Sequence, residues 1–249
     1  MEIYLLAGLI TLAFTTLLTI AGVGAAFILI PLFMALGIDV HVAMATALLL
    51  NAIAMAFASC RFSRNGLILW KSAVPILLTA TVLSPLGAYA SHGLNRDTLL
   101  WLFVGFLLLA AGMMFFYEPA SKTAEIPPSR LVCYGAATGV FAGFLGGLLG
   151  VGGGNLIVPV LVWLGIDPKK ASATTSFVVI FSSLSGFLGH ASLGNMSLPL
   201  LGFTAAGSVL GAVVGSWLMT DRLKPKQVKR IIGWVLVCIA AKMLWGLLS

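Results

Sequence analysis

The sequence predicts an all-α polytopic membrane protein made of two inverted-topology repeats, with eight full spans or up to ten membrane segments. Three observations predict it. The chain is 60% hydrophobic and 8% charged, with a mean hydropathy of +1.11, whereas a soluble domain carries about 25% charged residues. Apolar runs long enough to cross a hydrocarbon core recur along the whole length, continuous rather than alternating, which excludes the strand pattern of a membrane barrel. Finally, one stretch occurs twice. Gly22-Val23-Gly24-Ala25-Ala26-Phe27-Ile28-Leu29-Ile30-Pro31 returns 128 residues later as Gly150-Val151-Gly152-Gly153-Gly154-Asn155-Leu156-Ile157-Val158-Pro159.

The match runs on without a gap through Leu36-Gly37-Ile38-Asp39 against Leu164-Gly165-Ile166-Asp167, then Ala43, Ala45 and Thr46 against Ala171, Ala173 and Thr174. That makes 11 identities in the 28 positions from 22 to 49, against roughly 2 or 3 by chance in so apolar a chain. An internal duplication places function where the copies meet. The predicted units are a first transmembrane repeat over 1–117, a loop over 118–130 holding Pro119, Pro127 and Pro128, and a second repeat over 131–249.

Each repeat opens on a long apolar stretch, 3–36 or 131–164, interrupted by the glycine cluster. Residues 3–20 could span alone, and their counterparts at 131–148 mark them as part of the mature fold rather than a cleaved leader. Residues 24–36 would rise only about 20 Å as a helix. The sequence leaves open whether each stretch is a re-entrant hairpin or a full helix plus a short one. Helices are expected near 42–60, 72–91 and 98–117, then 169–189, 198–219 and 228–247.

Basic residues set the orientation. If the chain carries on through each glycine break, the 14 Lys and Arg residues divide six against eight. If it reverses there, twelve share a side and only Arg96 and Lys242 oppose them. The positive-inside rule selects the second arrangement, with inverted repeats and both termini outside. The net charge of +7 is thus accounted for by the bilayer, and no nucleic-acid partner is expected. Cys60, Cys133 and Cys238 have neither paired nor metal-ligand spacing and are expected to be buried free thiols.

The candidate binding residues cluster at the breaks. Gly24, Gly152, Gly153 and Gly154 let the backbone leave the helix and present amide N–H groups at the start of a half-helix, an anion site when buried. The competing reading is close helix packing, which suits Gly139/Gly143, Gly146/Gly150 and Gly211/Gly215. Ala25, Ala26 and Phe27 hold the corresponding amides of the first copy. Pro31 and Pro159 kink the short segments. Thr46, Asn51, Thr174, Thr175 and Ser176 lie early in the following helices, and Asn155 on the short segment itself. Their hydroxyls and amides can donate to oxyanions or merely join helices. Ser182, Ser183 and Ser185 read as packing residues, and His190 as a loop-facing interfacial histidine. Asp39 and Asp167, before helical runs, read as N-caps, the latter with Pro168 at the first helical position.

No Asp, Glu, Lys or Arg lies deep in a predicted span, where a cation transporter usually keeps an acid. Outward movement of one negative charge from a negative interior is favoured by about 2.3 kcal/mol per 100 mV. No nucleophile, paired-Asp or His-Glu-x-x-His pattern of an intramembrane enzyme occurs; Ser183-Leu184-Ser185-Gly186 lacks the first glycine. No catalytic residue, metal ligand or cofactor is therefore expected. An intramembrane enzyme or a structural membrane component is the alternative reading.

Gly-x-Gly-Gly-Gly followed by proline, then Leu-Gly-Ile-Asp-Pro and Ala-x-Ala-Thr, duplicated within one chain, resembles the TauE/SafE sulfite exporter family. The likeness covers essentially the whole chain and is fullest over 150–176. It implies a multi-pass transporter of the cell (inner) membrane that moves a small sulfur-containing anion, such as sulfite, sulfoacetate or an organosulfonate, outward. The first copy departs from the pattern at Ala25, Ala26 and Phe27. Oligomeric state is open, a homo-oligomer included.

Overall fold

The computed structural model describes residues 2–38, 40–91, 96–116, 128–190 and 198–248. These form α1 (Glu2–Ala21), α2 (Ala26–Ala35), α3 (Val40–Arg64), α4 (Trp70–Ala90), α5 (Arg96–Phe116), α6 (Pro128–Leu148), α7 (Gly154–Trp163), α8 (Pro168–His190), α9 (Leu198–Trp217) and α10 (Pro225–Leu248). Helices α7, α8 and α9 begin 128 residues after α2, α3 and α4, so the duplicated sequence breaks the chain at duplicated places. Each interrupted stretch is a helix of 20 or 21 residues followed by one of 10. The longer one spans about 30 Å at 1.5 Å per residue, which settles the form that the sequence left open. By length and hydropathy, Val42–Arg64, Trp70–Ala90, Pro168–His190 and Pro199–Arg222 can each cross a bilayer, as expected of a multi-pass membrane protein.

Local chemistry sets the helix ends. Asp167 Oδ1 accepts from the Lys169 amide at 2.9 Å and the Lys170 amide at 3.4 Å, just ahead of Pro168, so its capping role holds. Asp39 lies outside the described residues. Helix α9 stops two residues earlier than expected, at Trp217, and closes with a π turn over Leu218–Arg222. The Leu223 amide there reaches the Leu218 carbonyl, widening the helix ahead of Pro225, which could not continue it.

Packing brings the two halves of the chain into each other. Along α4 and α6, Gly135 meets Pro75 and Ile76, Gly139 meets Thr79, Gly143 meets Ala80 and Gly147 meets Ser84. The numbers rise together, so these helices run parallel. Along α1 and α9, Gly207 meets Gly8, Gly211 meets Leu12 and Thr15, and Gly215 meets Thr16 and Thr19, again parallel. Small residues let backbones approach where no hydrophobic force separates helix from lipid. The packing reading thus holds for Gly139/Gly143 and Gly211/Gly215. It fails for Gly146/Gly150, since Gly146 faces Gly153 of the break. Helices α3 and α8 pack in opposite directions, Leu48 meeting Gly186 and Asn51 meeting Ser183. Helix α8 also packs on α4, α3 on α9, and α5 on α10.

The polarity is that of a protein bathed in lipid. Thr46, Asn51, Ser72, Ser84, Asn155, Thr174, Thr175 and Ser183 are buried, while Leu9, Val82, Leu86, Phe141, Leu188 and Trp234 face outward. Cys60, Cys133 and Cys238 are exposed on that outer surface, not buried as expected. Lipid accepts a thiol as readily as the core does, so apolar neighbours in sequence do not distinguish the two. At one end of the bundle Arg61 pairs with Asp221, and Lys169 Nζ donates to the Thr220 carbonyl at 2.9 Å. These contacts gather the end of α3, the start of α8 and the end of α9.

Candidate functional site at the paired helix breaks

Both long helices ahead of the breaks end on the same device. The Gly22 amide donates to the Thr19 carbonyl and the Val23 amide to that of Leu18; Gly150 and Val151 repeat this on Gly147 and Gly146. This is a Schellman cap, and it requires the left-handed φ of +73° at Gly22 and +69° at Gly150. The first glycine of each cluster therefore ends a helix. The chain then takes further left-handed residues, Gly24 in the first copy and both Gly152 and Gly153 in the second, before the short helix begins.

The two breaks touch. A methyl on Gly154 would lie 3.0 Å from the Gly22 carbonyl oxygen and from Val23 Cα. Asn51, from the middle of α3, sits between them: it is the side chain nearest Gly24 and lies within 3.2 Å of the same point on Gly152. Its Nδ2 donates to Ser183 Oγ at 2.9 Å. Its Oδ1, the atom closest to Gly24, is buried without a partner among the described residues.

One face of α8 lines the meeting point. Ser172 Oγ donates to the Ile20 carbonyl at 2.8 Å, and Ser182 Oγ to the Gly152 carbonyl at 2.9 Å. Ser183 receives Asn51. Ser176 bonds back to the Ser172 carbonyl. Residues 172, 175, 176, 179, 182 and 183 share a face at helical spacing. Behind them, Ser84 Oγ donates to the Ser182 carbonyl and Ser185 Oγ to that of Thr81, fixing α8 on α4.

The short helices contribute amides and carbonyls. No turn carbonyl among the described residues accepts from the amides of Gly24, Ala25, Gly153, Gly154 or Asn155, as expected at a helix start. Gly152 differs, because its amide reaches the Gly146 carbonyl at 3.3 Å, so the free donors begin one residue later than the sequence suggests. Asn155 is 1% exposed, and neither its Oδ1 nor its Nδ2 has a partner among the described residues. Pro159, inside α7, has no N–H to give the Asn155 carbonyl four residues back. Pro31 does the same for the Phe27 carbonyl. No residue of 22–31, 43–59, 150–159 or 172–186 is ionisable. The field at the junction comes instead from two helix N-termini, each worth about half a positive charge.

The structure thus brings together Gly24, Ala25, Ala26, Asn51, Gly152, Gly153, Gly154 and Asn155, with Ser176 and Thr175 on the flanking face of α8. Ala25 and Ala26 are fully buried, while the side chains of Phe27 and Pro31 lie outside the described residues. Pro159 is buried within α7. Thr46 and Thr174 are placed differently. Thr46 Oγ1 bonds back to Val42, and Thr174 Oγ1 receives the Leu69 amide at the start of α4, a tie between elements. Ser182 and Ser183 make contacts of the packing kind expected of them, with the Gly152 carbonyl and Asn51; Ser172, not singled out in the sequence, ties α8 to the Ile20 carbonyl on the same face as Ser176. His190, expected to face a loop at the interface, ends α8 but is buried, its Nε2 3.1 Å from the Gly147 carbonyl. A histidine ending a helix that packs on glycines finds a carbonyl rather than water.

Comparison with known proteins matches residues 5–243 to the family model described as Sulfite exporter TauE/SafE. Two Bacillus subtilis (strain 168) proteins are similar over nearly their whole lengths. The probable membrane transporter protein YunE is 25% identical, over 91% of this chain and 92% of its own. The probable membrane transporter protein YdhB is 28% identical, over 89% and 91%. The Sulfite exporter TauE/SafE family protein 1 of Arabidopsis thaliana is 49% identical across 55 residues, 22% of this chain and 12% of its own. No solved structure matches the chain.

Proposed function

Since the chain belongs to the TauE/SafE sulfite exporter family, we propose that it is a secondary transporter of the cell (inner) membrane that exports a small sulfur-containing anion, such as sulfite, sulfoacetate or an organosulfonate. The anion binds where the two breaks meet. The observation that carries this is the convergence of two half-helix N-termini on the buried, half-partnered carboxamide of Asn51. Amides of Gly24 to Phe27 and of Gly153 to Asn155 meet the anion, with Thr175, Ser176 and Ser183 beside them. Neutral donors hold it without a buried cation that would bind too tightly to release it.

The halves 1–117 and 131–249 are inverted repeats. The opposed directions of α3 and α8, which occupy matching places in the two halves, support this. So does the Arg61–Asp221 pair, which joins two basic connections at one end of the bundle. The duplication alone suggests alternating access by one repeat rocking against the other; the packing supports different bodies. Glycine-tight contacts tie α4 to α6, and α1 to α9, so one body is α6, α7 and α8 with α4, and the other α1, α2 and α3 with α9. Alternating access opens the seam between α3 and α8, where Asn51 holds Ser183. On the basic, inner side, Lys169 to Thr220 and Ser172 to Ile20 must part as well.

The test is efflux from proteoliposomes. The full chain should release labelled sulfite or a sulfonate, faster when the membrane potential favours loss of negative charge. A structural component would leave the label inside, and an enzyme would consume it in detergent.

A further inference from the structure

The junction holds more acceptors than an anion alone can use. Asn155 is buried with both halves of its carboxamide unpartnered, so whichever way the amide is turned a carbonyl oxygen stays on offer beside an amino group. Asn51 gives Nδ2 to Ser183 and leaves Oδ1 beside Gly24. A buried acceptor without a donor is costly, and oxyanion oxygens repel it.

Charge gives a second constraint. Two helix N-termini offer about one positive charge between them, and no ionisable side chain lies in either break. That balances one negative charge and leaves a second one desolvated and unmatched.

We infer that the site, on the transport reading above, selects a singly charged anion that carries its own hydrogen-bond donor, such as a hydroxylated sulfonate or a monoprotonated oxyanion. The anionic oxygens take the amides of the short helices. The ligand's N–H or O–H group satisfies the carboxamide oxygens of Asn51 and Asn155. A dianion, sulfoacetate among the candidates above included, or a monoanion of the same size without a donor, leaves those oxygens buried and unpaired.

Isethionate and propane-1-sulfonate test this, because they differ by a hydroxyl in place of a methyl at equal charge. In proteoliposomes carrying the full chain, isethionate should move about tenfold faster or more, the value of one hydrogen bond to a buried acceptor. Sulfate should move more slowly than either. The variant Asn155→Leu should pull the isethionate to propanesulfonate ratio toward one. The wild-type ratio decides the matter even if that variant fails to insert. Equal rates for the two sulfonates, or sulfate moving as fast as isethionate, would overturn this inference and leave the transport reading standing. Movement of no sulfonate, sulfite or sulfate at all would overturn both.

Discussion

The two helix breaks are copies in skeleton and unlike in chemistry. Both follow a Schellman cap on a glycine, both release a 10-residue helix, and both carry proline six residues into it. In the first, Ala25, Ala26 and Phe27 follow Gly24; in the second, Gly153, Gly154 and Asn155 follow Gly152. Only the second can press its backbone against its partner, Gly154 lying on Gly22 and Val23, and only it adds a polar side chain. The same division runs through the flanking helices. Ser172, Ser176, Ser182 and Ser183 of α8 stand where α3 has Met44, Leu48, Ala54 and Met55, while Asn51 stands where α8 has Val179. Duplication supplied two helix ends that meet; on the proposed function, recognition is concentrated in the second copy, with Asn51 reaching across from the first.

If that is right, the second break is the more sensitive. Gly153→Leu should abolish efflux while membrane insertion continues. Its φ of +75° excludes a side chain, and any Cβ would strike the Ala142 backbone of α6. Normal sulfite efflux by protein recovered from the membrane would remove the second break from the site. Next in size is Asn51→Leu, which keeps the volume and deletes both polar atoms. Loss of two buried hydrogen-bonding groups at about 1.5 kcal/mol each predicts a fall in efflux of about 100-fold. Retained efflux would show that the breaks meet without Asn51 mediating.

The helix caps should separate the copies by stability. Gly22→Ala and Gly150→Ala both force alanine into left-handed backbone, costing about 1 kcal/mol. At Gly22 the new methyl also meets Ser172 backbone atoms at 2.6 to 2.7 Å, whereas at Gly150 it meets side-chain atoms, Met44 Cγ at 2.7 Å and Cβ at 2.9 Å. A rigid obstacle adds about 1–3 kcal/mol, so Gly22→Ala should melt at a lower temperature in detergent. Equal melting temperatures would mean that the α1–α8 contact yields as easily as a methionine.

How much of this is legible in the sequence depends on the kind of signal. Glycine, proline and aspartate act on their own backbone, so the breaks, the Asp167 cap and helices α3, α4, α5, α8, α9 and α10 could be placed from the chain alone, while the form of the interrupted stretches could not. Partner choice acts at a distance. Nothing in the periodicity of α4 says that it packs on α6 rather than on its own half, because helices apolar on all sides present no preferred face. For the same reason Cys60, Cys133 and Cys238 could not be assigned to lipid or core. Serines in such helices are ambiguous singly. Ser182 and Ser183 read as packing, but which partners they pack on, a glycine carbonyl and an asparagine, is visible only in the fold.

The smallest expected effect tests the division between skeleton and chemistry from the other side. Asp167 belongs to the duplicated skeleton, its carboxylate spent on the Lys169 and Lys170 amides. Asp167→Ala should cost about 1 kcal/mol of stability, the usual value of an N-cap, and lower the melting temperature by a few degrees. Efflux per folded molecule should stay as it was, since an uncapped first turn of α8 ends before Ser172 and Thr175. A loss of efflux at unchanged melting temperature would place this carboxylate on the anion's path. A fixed negative charge there would repel the cargo, so transport would then need a compensating cation, and the purely neutral site argued from Asn51 and Asn155 would have to be given up.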